Sequence, residues 1–99
     1  MSAQIPSISV EYARVRIIAN VDLGSQLVEI AFVGSRTTEP VSGDWVTASW
    51  LGSTGTTREA GVLVGPGAHV LAEGTWYLWF RLTDSPEVPA RYAGTLRIT

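Results

Sequence analysis

The segment that most constrains the fold is residues 74–84, because it has the composition and alternation of a long β-strand. Eight consecutive residues, 75–82, are aromatic, β-branched, leucine or arginine, and most of these types favour extended backbone. Successive side chains of a strand point to opposite faces. One alternating set is wholly apolar: Trp76, Leu78, Phe80 and Leu82. The other set is amphipathic: Tyr77, Trp79, Arg81 and Thr83. The sequence therefore predicts one face packed on a core and one face that contacts a partner.

Alternation along the rest of the chain predicts an all-β domain of about seven strands. The predicted strands cover residues 8–19, 26–33, 44–51, 59–64, 69–72, 74–84 and 92–99. Turn residues separate them at strand-length intervals, and no segment has helical periodicity. This spacing is typical of a single antiparallel β-sandwich of immunoglobulin-like type. A barrel of the OB type is the alternative, disfavoured because no helix is predicted between the middle strands.

The first predicted strand changes phase part-way along its length. Ile8, Val10 and Tyr12 lie on one face of the strand. The next apolar residues, Ala13, Val15 and Ile17, lie on the opposite face. A change of phase indicates a β-bulge, or a strand that leaves one sheet to join the other. We interpret residues 8–99 as the sandwich domain and residues 1–7 as an N-terminal arm that orders on a neighbour.

Composition favours contact with other proteins over contact with nucleic acid or lipid. Of the 99 residues, 45% are hydrophobic and only 16% are charged, below the usual charged share of about a quarter. The formal net charge of −2 gives no electrostatic reason to expect nucleic acid or an anionic membrane. No apolar stretch approaches the roughly 20 residues that span a bilayer, and the first seven residues do not have a signal-peptide pattern. All seven basic residues are arginine, whose planar head suits interfaces.

No pattern in the chain predicts catalysis, a cofactor or a metal site. His69 is the only histidine, and without a Gly-x-Ser-x-Gly motif a hydrolase acting through it is strongly disfavoured. Asp44, Asp84 and Glu87 do not form a calcium-binding loop, so we interpret them as turn-capping residues. The turn at residues 65–67 is too short to hold a phosphate. Cysteine is absent, which excludes disulfides and thiolate ligands.

Four tryptophans are many for a domain of this size, and strand phase divides them. Trp50 and Trp76 are predicted to point inward, and Trp45 and Trp79 outward. Outward tryptophans either anchor a protein interface or stack on sugar rings. Low charge and the nearby Tyr77 favour protein, whereas sugar binding usually needs more amide and acidic side chains nearby than the sequence supplies. We predict an interface made of six residues: Trp45, Tyr77, Trp79, Arg81, Glu87 and Arg91.

Several stretches resemble the small β-sandwich proteins encoded in the structural gene blocks of tailed bacteriophages that infect actinobacteria. The matching stretches are Leu27-Val28-Glu29-Ile30-Ala31-Phe32, Gly43-Asp44-Trp45 with Ala48-Ser49-Trp50, Val64-Gly65-Pro66-Gly67, Gly74-Thr75-Trp76-Tyr77-Leu78-Trp79, and Thr83-Asp84-Ser85-Pro86-Glu87-Val88-Pro89-Ala90-Arg91 running into Ala93-Gly94-Thr95-Leu96. The run Asp-x-Pro-Glu-x-Pro-x-Arg at 84–91 is the most distinctive. The similarity covers residues 8–99, nearly the whole chain.

This resemblance implies a non-enzymatic virion component that is made in the bacterial host cytoplasm and acts through protein–protein contacts. Its place in the particle would be capsid decoration, the head–tail neck or the tail, for instance as a minor tail protein. The expected partners are capsid, connector or tail subunits and symmetry-related copies of the chain itself. The alternative is a carbohydrate-binding or host-surface adhesion module on the same scaffold.

Overall fold

The computed structural model describes residues 2–18, 27–54, 57–83 and 90–99. In these ranges the regular structure is eight strands and one short 3₁₀ turn, Ser42–Asp44, which precedes the fourth strand. The strands are β1 (Ser2–Ile5), β2 (Glu11–Ile18), β3 (Leu27–Val33), β4 (Trp45–Thr47), β5 (Ser49–Thr54), β6 (Thr57–Val64), β7 (Gly74–Thr83) and β8 (Ala90–Ile98). Among the described residues there is no helix with the length and hydropathy needed to cross a membrane.

The strands form two sheets that pack against each other, which confirms the predicted all-β sandwich. Sheet A has the order β1-β8-β7-β3-β4, and sheet B has the order β2-β6-β5. Neighbouring strands are antiparallel except for β1 and β8, which run parallel. The described residues contain eight strands, where the sequence predicts about seven.

The beginning of the chain is part of the sandwich. Residues 2–5 belong to the predicted N-terminal arm, yet they form β1 and pair with residues 95–98 of β8. Ile5 is buried, and its carbonyl oxygen accepts a 3.0 Å hydrogen bond from the backbone N–H of Thr99. Burial of Ile5 gives this short strand a hydrophobic reason to join sheet A. The chain then crosses to sheet B before residue 11, earlier than the phase change suggests.

The strand predicted at 44–51 is two strands in different sheets. The break falls at Ala48, whose N–H donates a 2.9 Å hydrogen bond to the carbonyl of Val28. β4 precedes it in sheet A and β5 follows it in sheet B. The predicted inward set is correct, since Val46, Ala48 and Trp50 all pack against the core.

The strand predicted at 69–72 is wrong. This segment makes only one isolated bridge, between Val64 and His69. The N–H of Gly65 bonds the carbonyl of His69, and the N–H of His69 bonds the carbonyl of Leu63. These bonds close a turn locally, so the backbone N–H and C=O groups of His69 are paired without forming a strand.

The core lies between the two sheets and is mainly aliphatic. Its most deeply buried large side chains are Ile30, Leu96, Val15, Val28 and Val64. Trp50 and Trp76 pack against this cluster from its margin, as their strand phase predicts. The indole Nε1–H of Trp76 donates a 2.9 Å hydrogen bond to the carbonyl of Ala72, so its polar edge is satisfied while its rings are half-buried.

Candidate functional site

The outer surface of sheet A carries four half-buried aromatic side chains, which we call the aromatic face: Trp45, Tyr77, Trp79 and Tyr92. Strand register sets three of them in one row across four strands. Trp45 of β4 lies opposite Ala31 of β3, Ala31 lies opposite Trp79 of β7, and Trp79 lies opposite Tyr92 of β8. Tyr77 belongs to a neighbouring row, opposite Val33. Cross-strand neighbours of this kind are within contact distance of each other.

A β-bulge in β8 puts Tyr92 beside Trp79. The register shifts between Leu78, which faces Gly94, and Trp79, which faces Tyr92. Ala93 is therefore an extra residue, and it packs against the core instead of the outer surface. The rings of Trp79 and Tyr92 meet edge to face, with centroids 5.9 Å apart and an interplanar angle of 72°, a favourable aromatic geometry.

Two small apolar residues on the outer surface are as buried as the core. Ala31 is 0% exposed and Val33 is 5% exposed, yet neither belongs to the core cluster between the sheets. Both alternate with the inward residues Ile30 and Phe32, so they point away from that core. Their burial must come from side chains lying over the outer surface, and their cross-strand neighbours are aromatic. The aromatic face thus forms a thin second layer on sheet A.

Arg81 forms a charged pair within this layer. Its Nε donates a 2.8 Å hydrogen bond to Oε1 of Glu29, from the neighbouring strand. Both side chains are largely shielded, at 29% and 16% exposure. The guanidinium also lies over the ring of Trp45, 4.5 Å from its centroid. A guanidinium on an aromatic face is attracted by the ring's electron density, so Glu29 and Trp45 together hold Arg81 in one place.

A second arginine covers the other end of the row. The guanidinium of Arg36, in the loop after β3, lies 3.9 Å from the centroid of the Tyr92 ring. Between the two arginines, the indole Nε1 of Trp79 is buried without a hydrogen-bond acceptor among the residues that the structure describes. Buried donors of this kind are uncommon and call for an explanation. The face therefore presents cations, while the indole N–H of Trp79 is buried within it.

A turn sets the position of Trp45 at the edge of the sheet. The carboxylate Oδ2 of Asp44 accepts a 2.9 Å hydrogen bond from the N–H of Val41, and the N–H of Asp44 donates to the carbonyl of Val41 at the same distance. These two bonds close the 3₁₀ turn directly before β4. Asp44 is therefore a turn residue, as the sequence predicts.

The structure brings together four of the six predicted interface residues, Trp45, Tyr77, Trp79 and Arg81. Arg91 lies elsewhere: it is paired with Phe80, whose side chain faces the core side of β7, and its Nη1 donates to the carbonyl of Ala90 at 2.9 Å. Glu87 and the proline-containing loop lie outside the described residues. Strand alternation therefore identifies the four residues of β4 and β7 that share a surface.

Sequence reasoning missed four members of this layer: Ala31, Val33, Arg36 and Tyr92. One signal was available, because residues 30–33 are continuously apolar where a half-exposed strand would alternate. An unbroken apolar run indicates burial on both faces. Nothing local to Tyr92 or Arg36 signals their roles, which depend on the bulge and on the loop conformation.

The residues considered for chemistry are not assembled into a reactive group in the described parts of the chain. The ring of His69 packs near that of Phe32, with centroids 5.3 Å apart. Within those parts, its imidazole makes no hydrogen bond to a carboxylate or hydroxyl group. Nor do three or more His, Asp or Glu side chains of these ranges gather in a way that could hold a metal ion.

Comparison of the chain with protein-family models, with curated proteins and with solved structures finds no match. The resemblance to phage structural proteins therefore stays a prediction.

Proposed function

We propose that this chain is a non-enzymatic structural protein of a tailed bacteriophage particle, docking on other virion subunits through the aromatic face. The observation that carries the proposal is the row Trp45–Ala31–Trp79–Tyr92 on the outer surface of sheet A. Tryptophan, tyrosine and arginine are the residue types most enriched at the energetic centres of protein interfaces. A rigid sheet that displays all three has the composition of a docking surface.

The polar groups of the face favour a partner rich in hydrogen-bond acceptors. Glu29 is already bound to Arg81, whereas Arg36 is exposed and stacks on Tyr92. Backbone carbonyls or carboxylates of another subunit would accept hydrogen bonds from the Arg36 guanidinium. Symmetry-related copies of the chain would each offer the same face to a repeated partner, which fits an assembled particle.

The strand order supports the immunoglobulin-like part of this proposal. In such sandwiches the second, fourth and fifth of seven lettered strands (B, D and E) share one sheet, and C, F and G share the other. If β4 is counted as an extra strand C′, then β2, β5 and β6 occupy the B, D and E positions, and β3, β7 and β8 occupy C, F and G. β1 differs from the constant-domain arrangement by joining β8.

The proposal is tested on purified particles of the phage that encodes the chain. Mass spectrometry should find the chain at a fixed copy number per particle. Trp79→Ala should leave the isolated domain folded, because the side chain is only half-buried and lies outside the core cluster. It should weaken particle association roughly thirtyfold, the effect of losing a hot-spot residue worth about 2 kcal/mol.

Val70→Ala is the matched control, because Val70 is an apolar residue that is 72% exposed and lies outside the aromatic face. It should bind particles like the parent chain. Equal binding of Trp79→Ala would show that the aromatic face is not the contact. Absence of the chain from the particles would refute the virion assignment itself.

The carbohydrate-binding alternative makes a different prediction. It requires binding of the purified chain to a glycan array and loss of that binding in Trp45→Ala. The arginines lying over Trp45 and Tyr92 occupy ring faces on which a sugar would stack, and this favours a protein partner.

A further inference from the structure

The outer edge of β2 is a long, regular strand edge to which no described strand is hydrogen-bonded. β2 pairs with β6 over eight consecutive residues without a register shift, and it is the last strand of sheet B on that side. The strand before it in the chain, β1, joins sheet A instead. Every second residue of β2 therefore directs its backbone N–H and C=O groups away from the sheet.

The other edges of the described sheets are poor places to add a strand. β1 has four residues and β4 has three, while the pairing of β5 is interrupted by a register shift between Trp50 and Gly52. Natural proteins blunt their edges with short strands and bulges of this kind. β2 has neither device, and it contains no proline or glycine.

The side chains along β2 define what can pair with it. Ala13, Val15 and Ile17 are buried, and the exposed residues between them include Arg14 and Arg16. Glu59 lies opposite Arg16 in the register, and its carboxylate accepts a 3.4 Å contact from Arg14. That contact is exposed and contributes little. Glu11, the one acidic residue of β2, lies on the opposite side of the strand from the two arginines. The outer side of this edge is therefore cationic.

This charge pattern disfavours the pairings in which β2 of a second copy would overlap β2 most completely. Two antiparallel β2 strands related by a twofold axis must keep their buried side chains on the same side of the sheet. Each buried residue then lies opposite a buried residue, so the twofold axis passes beside a residue and not between two residues. Centring on Arg14, Val15 or Arg16 sets Arg14 against Arg14, Arg14 against Arg16, or Arg16 against Arg16. Like charges directly opposite each other are destabilising.

We propose that the β2 edge accepts an extended segment of another protein as an added strand, with carboxylates opposite Arg14 and Arg16. The segment's alternate side chains are small or apolar, because they extend the buried side formed by Ala13, Val15 and Ile17. Backbone hydrogen bonds supply the attachment and the two arginines select the sequence, the usual division of roles in strand addition. This site lies on the other sheet from the aromatic face and is independent of it.

The test uses the full chain and two capped synthetic peptides, Thr-Val-Glu-Val-Glu-Val-Thr and its counterpart with lysine at both glutamate positions. Binding at millimolar peptide is followed by NMR, and amide hydrogen exchange locates it. The glutamate peptide should protect alternate amides of β2 and bind roughly 2- to 30-fold more tightly than the lysine peptide, the range expected for two cross-strand charge pairs.

Charge reversal at the edge should invert the preference. Arg14→Glu with Arg16→Glu should bind the lysine peptide better, whereas Arg97→Glu, an exposed residue on the outer side of sheet A, should behave like the parent chain. If the reversed variant does not fold, Arg14→Gln with Arg16→Gln should abolish the preference. Equal binding of both peptides, absence of protection at β2, or protection at another strand edge would overturn the proposal.

Discussion

Glu29 and Arg81 are joined across β3 and β7 by a 2.8 Å hydrogen bond from Nε of Arg81 to Oε1 of Glu29. The two residues are 52 positions apart in the chain and directly opposite in the sheet. Because the same guanidinium lies over the ring of Trp45, a carboxylate on β3, the strand next to the edge strand β4, fixes an aromatic side chain at the sheet edge. The aromatic face is therefore held together by polar contacts as well as by ring packing.

Glu29→Ala should lower the free energy of unfolding by roughly 1–3 kcal/mol, the cost of leaving a shielded charged donor without its acceptor. Glu59→Ala is the matched control, since its contact with Arg14 is longer and its side chain is more exposed, and it should cost less than about 1 kcal/mol. Urea denaturation followed by tryptophan fluorescence measures both. Equal losses would contradict the role assigned to Glu29.

Ala31→Leu should destabilise the domain by roughly 1–3 kcal/mol, although residue 31 is on the outer surface of the sheet. Ala31 is 0% exposed between Trp45 and Trp79, so a larger side chain must push the indoles apart. Thr47→Leu, at an exposed position beside Glu29 in the same sheet, should be nearly neutral. Thermal unfolding compares the two, and a neutral Ala31→Leu would mean that the aromatic layer is loosely packed.

Gly65→Ala should disrupt the segment between β1 and β2, where the chain passes from sheet A to sheet B. Gly65 has a φ of +127°, and a Cβ there would meet the carbonyl oxygen of Ser9 and lie 3.0 Å from Cα of Val10. Gly67→Ala also meets a positive φ, of +80°, but no atom lies within 4 Å of its Cβ, so only the backbone penalty of roughly 1–2 kcal/mol applies. The melting temperature of Gly65→Ala, measured by circular dichroism, should be well below that of Gly67→Ala. The reverse order would exclude close packing of the Ser9 backbone as the reason for glycine at 65.

Replacing Arg14 and Arg16 together by threonine should promote self-association of the chain. The substitution removes the charge repulsion between two β2 edges and keeps a residue suited to strands. Light scattering should show growth of dimers or larger species with concentration, and Arg97→Thr should stay like the parent. If the double variant stays as monomeric as the parent, the arginines are not what keeps the edge of β2 apart from other copies.

Local sequence pattern determined the class of fold and the faces of the longest strands. Alternation in β7, with Leu78 inward and Trp79 outward, and in β2, with Val15 inward, follows from the twofold period of extended backbone. This alternation can be read without knowing which strands lie beside β7 or β2 in the sheets. The four outward residues of the candidate site in β4 and β7 were predictable for the same reason.

Tertiary structure alone decided how those strands are shared between sheets and what covers the outer surface. Ala48 divides one apparent strand between two sheets because its N–H pairs with Val28, a residue 20 positions away. The bulge at Ala93 brings Tyr92 to Trp79, and the burial of Ala31 depends on strands that precede and follow it by many residues. Such contacts depend on which backbone groups and side chains meet in space. Alternation within a single strand carries no information about that meeting.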